Sequence, residues 1–245
     1  MDLFKTRGIV FSVIPYSESS IIVKIFTEEF GIKSYIIKGA RNSKSSLRSN
    51  IFQPLQILDL EVYNNPKKNL QIIKEAKLDY SIYSISSDIK KTTLAFFIAE
   101  IVNHCIKEEE KNIYIYSFIE DTIISLNNLE YDFSIFHLNF LLNLSELLGF
   151  KPMNDYSNEN KYFDLSKGHF SSLPPVSNLY LSLEESLLLS NLLSIVDDNT
   201  KNKSKLSFAK EEKSKLLNIL IQFYEIHIID FSKIKSQQVL STILH

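Results

Sequence analysis

"GIVFSVIPYSESSIIVKIFTEEFGIKSYIIKGARNSKSS" fills residues 8–46, and its punctuation decides the fold. Three short runs rich in Ile, Val and Phe, at 8–14, 20–27 and 32–38, are separated by Pro15 with the serines to Ser20, and then by Glu28 to Gly31. Runs of that length, β-branched and bounded by turn formers, predict strands. The pattern continues in "QPLQILDLEVY" (53–63) and "NLQIIKEAKL" (69–78), with "NNPKK" (64–68) as the turn between them. Five strands with no long helical period between them predict a small antiparallel barrel, and the OB-fold is the commonest such barrel that binds nucleic acid.

From about residue 87 the period becomes helical. "SSDIKKTTLAFFIAEIVNHC" (86–105) offers Ser86, Ser87 or Asp88 as N-cap. "YDFSIFHLNFLLNLSELLGF" predicts a core helix that starts at Asp132, repeats Phe133, Phe136, Phe140, Leu144 and Leu147, and stops at Gly149. Two more helices are expected at 183–195 and 210–228, on either side of the polar linker "DDNTKNKSK" (197–205). The Asn/Ser/Tyr-rich stretch after Gly149 reads as a loop excursion or a short hairpin. The fold class is therefore α+β, strands then helices. A five-stranded OB-fold barrel (1–80) precedes an all-helical domain (81–245) that carries an irregular insertion at about 150–176.

With 245 residues, 44% of them hydrophobic and 23% charged, the chain can bury a proper core. The single cysteine, Cys105, excludes an intramolecular disulfide and a cysteine-based zinc site, and nothing asks for an oxidising compartment. No apolar run has the length of a signal peptide or a membrane span, so a cytoplasmic, nucleoid-associated location is expected and no membrane partner. The net charge of -2 hides an asymmetry: residues 1–78 carry 12 Lys and Arg against 7 Asp and Glu, including all three arginines, while the rest is acidic. A basic module on an acidic one points to a polyanion for the first and to protein partners for the second.

Enzymatic constellations are missing from the sequence. Its five glycines form neither GxGxxG nor GxxxxGK, so no loop is built to cradle a nucleotide. His104 and Cys105 are adjacent on a helix and point about 100° apart, which reads as a packed thiol beside a surface imidazole rather than a nucleophile pair. The five histidines lack metal-ligand spacing. Neither a cofactor nor a metal is expected, and no catalytic residue is assigned.

One segment does carry chemistry. Lys38, Arg41 and Lys44 fall within seven positions and Arg48 follows, with no acid between Lys38 and Arg48. Arginine offers a planar fork that fits a phosphate bidentately, lysine a mobile point charge, and Gly39 with Ser43, Ser45 and Ser46 a pliant backbone. A phosphate clamp and a merely solvated loop both fit this composition. Lys5 and Arg7 near the first strand and Lys67 and Lys68 in the turn before the fifth are expected to extend a phosphate track if the barrel gathers them on one face. Tyr35, with Phe26 and Phe52, is the candidate for base stacking, although aromatics at strand spacing are more often core.

The block at 8–46, with Gly39, Ala40 and Arg41 after Lys38, together with "FQPL" (52–55), "LLGFKP" (147–152) and "HIIDFSKIKSQQVL" (227–240) in the same order, resembles the RecO family, bacterial recombination mediators of the RecF pathway. The resemblance implies an OB-fold before a helical domain and a mediator that is not an enzyme. It also implies binding of single- and double-stranded DNA, strand annealing, help in loading recombinase, and partnership with RecR and the acidic C-terminal tail of single-stranded DNA-binding protein. An adaptor whose OB-fold face holds a protein is the alternative. Many members carry a four-cysteine zinc module after the glycine that ends the core helix, whereas residues 151–175 contain no cysteine here. Zinc is therefore not carried over, and "YFDLSKGHF" (162–170) is expected to hold its shape by side-chain packing.

Overall fold

A computed structural model describes residues 2–40, 49–107, 110–130, 133–197, 208–231 and 233–244. Two compact units make up the chain, residues 1–131 with 234–237 and residues 132–233 with 238–245. The first holds the barrel strands β1 (Asp2–Pro15), β2 (Ile21–Thr27), β3 (Gly31–Ile37), β4 (Ile57–Asn64) and β5 (Leu70–Tyr80), followed by the helices α1 (Tyr83–Ser87), α2 (Ile89–Cys105) and α3 (Ile113–Asn128).

The strands close in the order β1-β2-β3-β5-β4, with β4 back against β1; every pairing is antiparallel except that of β3 with β5. This is the OB-fold expected from the sequence. Closure falls to β1, which is twice as long as β2 because it serves two neighbours: Asp2–Ile9 pairs with Asn64–Ile57, and Gly8–Pro15 with Thr27–Ile21. Gly8 lies in both ladders. A β-carbon there would come 2.6 Å from Ile25 Cγ2 and 2.8 Å from Leu60 Cδ1, so the crossing tolerates only glycine without displacement. The expected first strand began at residue 8; the structure starts it at Asp2, because the exposed half of β1 has no apolar alternation to reveal it.

Alternate residues fill the barrel: Val23 and Ile25 from β2, Tyr35 and Ile37 from β3, Leu60 and Val62 from β4 are all at most 3% exposed. Each such aliphatic side chain contributes about 1.5–3 kcal/mol relative to exposure. Beside the barrel, Phe11, Phe26 and Tyr116 of α3 form a ladder with ring centroids 5.5 and 5.8 Å apart. Asp88 is the N-cap of α2, its carboxylate accepting from the N–H groups of Lys90 (2.7 Å) and Lys91 (3.2 Å). Helix α3, absent from the sequence reading, is capped by Asn112, which accepts from Ile115 N at 3.2 Å.

The second unit contains α4 (Phe136–Leu147), a hairpin of β6 (Tyr162–Asp164) and β7 (His169–Ser171), α5 (Leu183–Asp197), α6 (Lys210–His227) and most of α7 (Ser236–Leu244). The core helix starts at Phe136 rather than at Asp132, which lies outside the described residues, since Phe136 N donates to Phe133 O and forms a turn first. It stops at Gly149, whose φ of 84° lets Phe150 N reach back to Ser145 O at 2.9 Å. The stretch after it is the hairpin. Phe163 and Phe170 meet edge to face at 4.9 Å, Phe223 of α6 packs on Phe163, and Gly168, with φ of 72°, leaves room for the Phe223 ring. His227 stacks on Phe150 and its Nε2 lies 2.9 Å from Leu165 O. The ligands for a zinc module are missing from this place; among the described residues no group of three His, Cys, Asp or Glu side chains is placed to hold a metal ion. Again among the described residues, no helix is long and apolar enough to cross a membrane.

Candidate nucleic-acid interface

The basic segment leaves and rejoins the barrel at buried points. Lys38 is exposed in the turn after β3, Gly39 takes a φ of 69°, and Ala40 and Phe52 on either side of the segment are 2% and 3% exposed within the barrel core. Arg41, Lys44 and Arg48 lie outside the described residues. What the structure fixes is the position of the residues on either side, Lys38 to Ala40 after β3 and Phe52 in the core.

Tyr35 is corrected by the structure. It is 1% exposed and points into the barrel, where burial pushes its phenol well above the usual tyrosine range, so its ring is closed to a base. Phe26 and Phe52 are buried as well. Tyr35 and Phe52 belong to the barrel core, and Phe26 is covered from outside by Tyr116 of α3, so packing won over stacking in all three.

Lys5 and Arg7 require a second correction, because they stand on the outer surface of β1, β4 and β5, among carboxylates. Cross-strand register sets Lys5 beside Glu61 and then Glu75, and Arg7 beside Asp59 and then Lys77. Lys5 Nζ lies 3.7 Å from Glu61. Arg7 donates from Nε and Nη2 to Asp79 Oδ2 at 2.9 and 2.6 Å, and from Nη1 and Nη2 to the carboxylate of Glu120 on α3. Partial burial disfavours the guanidinium, but the hydrogen bonds of Glu120 and Asp79 outweigh it and the pKa rises. A cleft of about 470 Å³ opens here, lined by Glu28, Glu29, Asp59, Glu61 and Glu75 against Lys5, Arg7 and Lys77. Five carboxylates to three cations repel a phosphate.

Lys67 and Lys68 are exposed in the β4–β5 turn. Buried Gln71 holds that turn by donating to Asn65 O (2.9 Å) and Lys68 O (2.5 Å) and accepting from Asn65 N (2.8 Å). Ile36 of β3 is level with Ile72 of β5, so Lys38 and Lys68 are six residue steps apart along the parallel strands. That is about 20 Å at the rise of a strand. The two cationic groups mark opposite ends of one seam.

A surface missed by the sequence joins them. Across the outside of β1, β2, β3 and β5 the register aligns Ile14, Ile22, Ile36 and Ile72, with Tyr63 of β4 next in line. On one side runs the row Ser12, Lys24, Ser34, Leu70; on the other, Lys38 and Lys74 follow Ile36 and Ile72 at the next outward positions. Lys74 is bound to Glu61 at 2.9 Å. Lys24 is half-buried, and its Nζ donates to the neutral Asn103 Oδ1 at 2.9 Å. Burial, and then the nearby charge of Lys107, push its pKa down. Among the described residues no carboxylate occupies these outward rows, in contrast with the acidic cleft on β1, β4 and β5.

Comparison with known proteins adds the family. A model described as recombination protein O N-terminal matches residues 1–82, and one described as recombination protein O C-terminal matches residues 86–237. DNA repair protein RecO of Flavobacterium psychrophilum is 39% identical over 98% of this chain and 98% of its own length. The proteins of that name from Azobacteroides pseudotrichonymphae and Bacteroides fragilis are 31% and 33% identical, covering 98% and 97% of this chain and 99% and 98% of their own lengths.

Proposed function

The chain belongs to the recombination protein O family, and on that premise we propose that it acts in DNA repair and recombination as a mediator that catalyses no reaction. It binds single- and double-stranded DNA through the barrel, promotes annealing of complementary strands and helps load recombinase onto single strands. RecR and the C-terminal tail of single-stranded DNA-binding protein are its protein partners, and it works in the cytoplasm at the nucleoid. One observation supports the binding site above others: the outward rows around Ile14, Ile22, Ile36 and Ile72, which hold no carboxylate among the described residues, are flanked by Lys24 and Lys38, and Lys38 opens the sequence segment that carries Arg41, Lys44 and Arg48.

Chemistry links that face to annealing. Contacts to phosphates hold and orient a strand without reading its sequence, which leaves Watson–Crick edges free to meet a complement. A protein that gripped base edges would have to release them first. The test is a salt titration of a fluorescein-labelled oligo(dT): binding through several cations must weaken linearly in log–log form. Affinity that ignored salt would refute this reading and leave an adaptor that works by protein contacts.

A further inference from the structure

We propose that the row Ile14, Ile22, Ile36 and Ile72 is an aliphatic platform on which a bound single strand lays its bases and sugars, while Lys24 and Lys38 hold phosphates along its two sides. This assignment rests on the DNA-binding reading above and deepens it.

The same barrel shows what an unoccupied outer face looks like. On β1, β4 and β5 the outward positions are Lys5, Arg7, Asp59, Glu61, Glu75 and Lys77, the charged pattern expected where a sheet meets water. Around the other side the outward positions in one cross-strand line are four isoleucines, with Ile14 58% and Ile72 43% exposed and Ile22 and Ile36 partly exposed between them. Three strand spacings separate the first from the last, about 15 Å. Single exposed aliphatics are ordinary, but a continuous line of them between cationic rows marks a surface with an occupant.

Charge selects that occupant. Among the described residues the hydrogen-bond partner of Lys24 is the neutral Asn103 Oδ1 at 2.9 Å, so an ammonium group flanks the row on one side, and Lys38 begins the basic segment on the other. Outward rows that hold no carboxylate among the described residues, with cations on both sides of an apolar line, match a chain that is anionic outside and apolar in its ring faces. Tyr35, Phe26 and Phe52 are buried, so along the four strands this face offers aliphatic rather than aromatic contact, with Tyr63 of β4 at its end. Isoleucine makes no hydrogen bond, so packing against it discriminates little among bases and leaves their pairing edges open.

The experiment uses the full chain and two probes, fluorescein-labelled oligo(dT) and an abasic strand of the same length. Wild-type protein should bind the abasic strand about tenfold more weakly, and Ile14→Thr with Ile36→Thr and Ile72→Thr should lower oligo(dT) affinity by a similar factor, since each change removes apolar contact area. Threonine keeps the β-branch, and the salt slope should stay as in wild type, because no cation is lost. For the triple variant the two probes should bind alike. Equal wild-type affinity for both probes overturns the platform, and that comparison needs no variant to fold. Unchanged oligo(dT) affinity in a triple variant that melts like wild type overturns it too; if that variant loses self-association instead, the row belongs to a second copy of the chain. Wild-type protein that binds neither probe sinks the DNA reading itself, an outcome distinct from these.

Discussion

Arg7 of β1 and Glu120 of α3 are joined by two hydrogen bonds, from Nη1 and Nη2 to the two carboxylate oxygens. That fork, shared with Asp79, fixes α3 to the strand that closes the barrel. Arg7→Ala leaves the largely buried Glu120 without its cation and should cost about 1–3 kcal/mol of stability, seen as a lower midpoint in urea. DNA affinity and its salt slope should be unaffected. A loss of slope would show that Arg7 contacts phosphate after all.

The converse holds for the basic segment. If Arg41 and Arg48 clamp phosphates as proposed, replacing both by Ala should flatten the log–log salt dependence for single strands by about 1.4, at about 0.7 per contact, with all sequences affected alike. Arg41→Lys with Arg48→Lys keeps the slope and lowers affinity, because charge remains and the fork is lost. Unchanged slope and affinity in the alanine variant would make the segment a solvated loop.

Gly8→Ala should destabilise the barrel by about 1–3 kcal/mol, and Gly8→Val by more, because the new carbon must displace Ile25 and Leu60 from contacts of 2.6 and 2.8 Å. Chemical denaturation of the two variants checks the order. A neutral Gly8→Val would mean that β1 does not run between both neighbours at this point.

Acid should weaken the hairpin through Asp164. Burial raises its pKa, but Ser166 Oγ at 2.6 Å, Ser166 N at 2.9 Å and Lys167 N at 3.2 Å donate to Oδ1, and the balance lies below the usual carboxylate value. A folded pKa below the unfolded one means that the unfolded chain takes up the proton first as pH falls. The stabilisation is thus complete above the unfolded value of about 3.9 and is lost on the way down to the folded pKa. Asp164→Asn should reduce stability at neutral pH and flatten its decline below about pH 5. Parallel acid profiles for wild type and variant would contradict the assignment.

How much of this could be read from the chain depended on what each residue faces. The barrel was legible because Val23, Ile25, Tyr35 and Ile37 alternate with outward residues, whereas the cap of α2 was narrowed only to Ser86, Ser87 or Asp88, of which the structure uses Asp88. Helix α3 was not: "IYIY" opens it with the β-branched and aromatic residues of a strand, although Ile115, Ile119, Ile123 and Leu126 keep a helical spacing. At the candidate site, Lys38 could be placed from its turn. Lys5 and Arg7 could not, since only the register of β1 with β4 shows them among carboxylates. The isoleucine row was hidden for the same reason. Its members are up to 58 positions apart in sequence, and Ile72 reaches Ile36 only through the parallel pairing.

That parallel pairing is short, three residues on each strand, Ser34–Ile36 against Leu70–Ile72, where each antiparallel ladder of the barrel runs for at least seven. Local opening begins where a ladder is short, so the amides of this seam should exchange with deuterium ahead of the rest of the barrel. Ile36 and Ile72 sit on its two sides. On the proposed reading, a strand lying over them would bridge the seam like a suture, and the slowing of exchange on binding should be greatest there, so that the weakest join in the barrel would be the one most strengthened by its cargo.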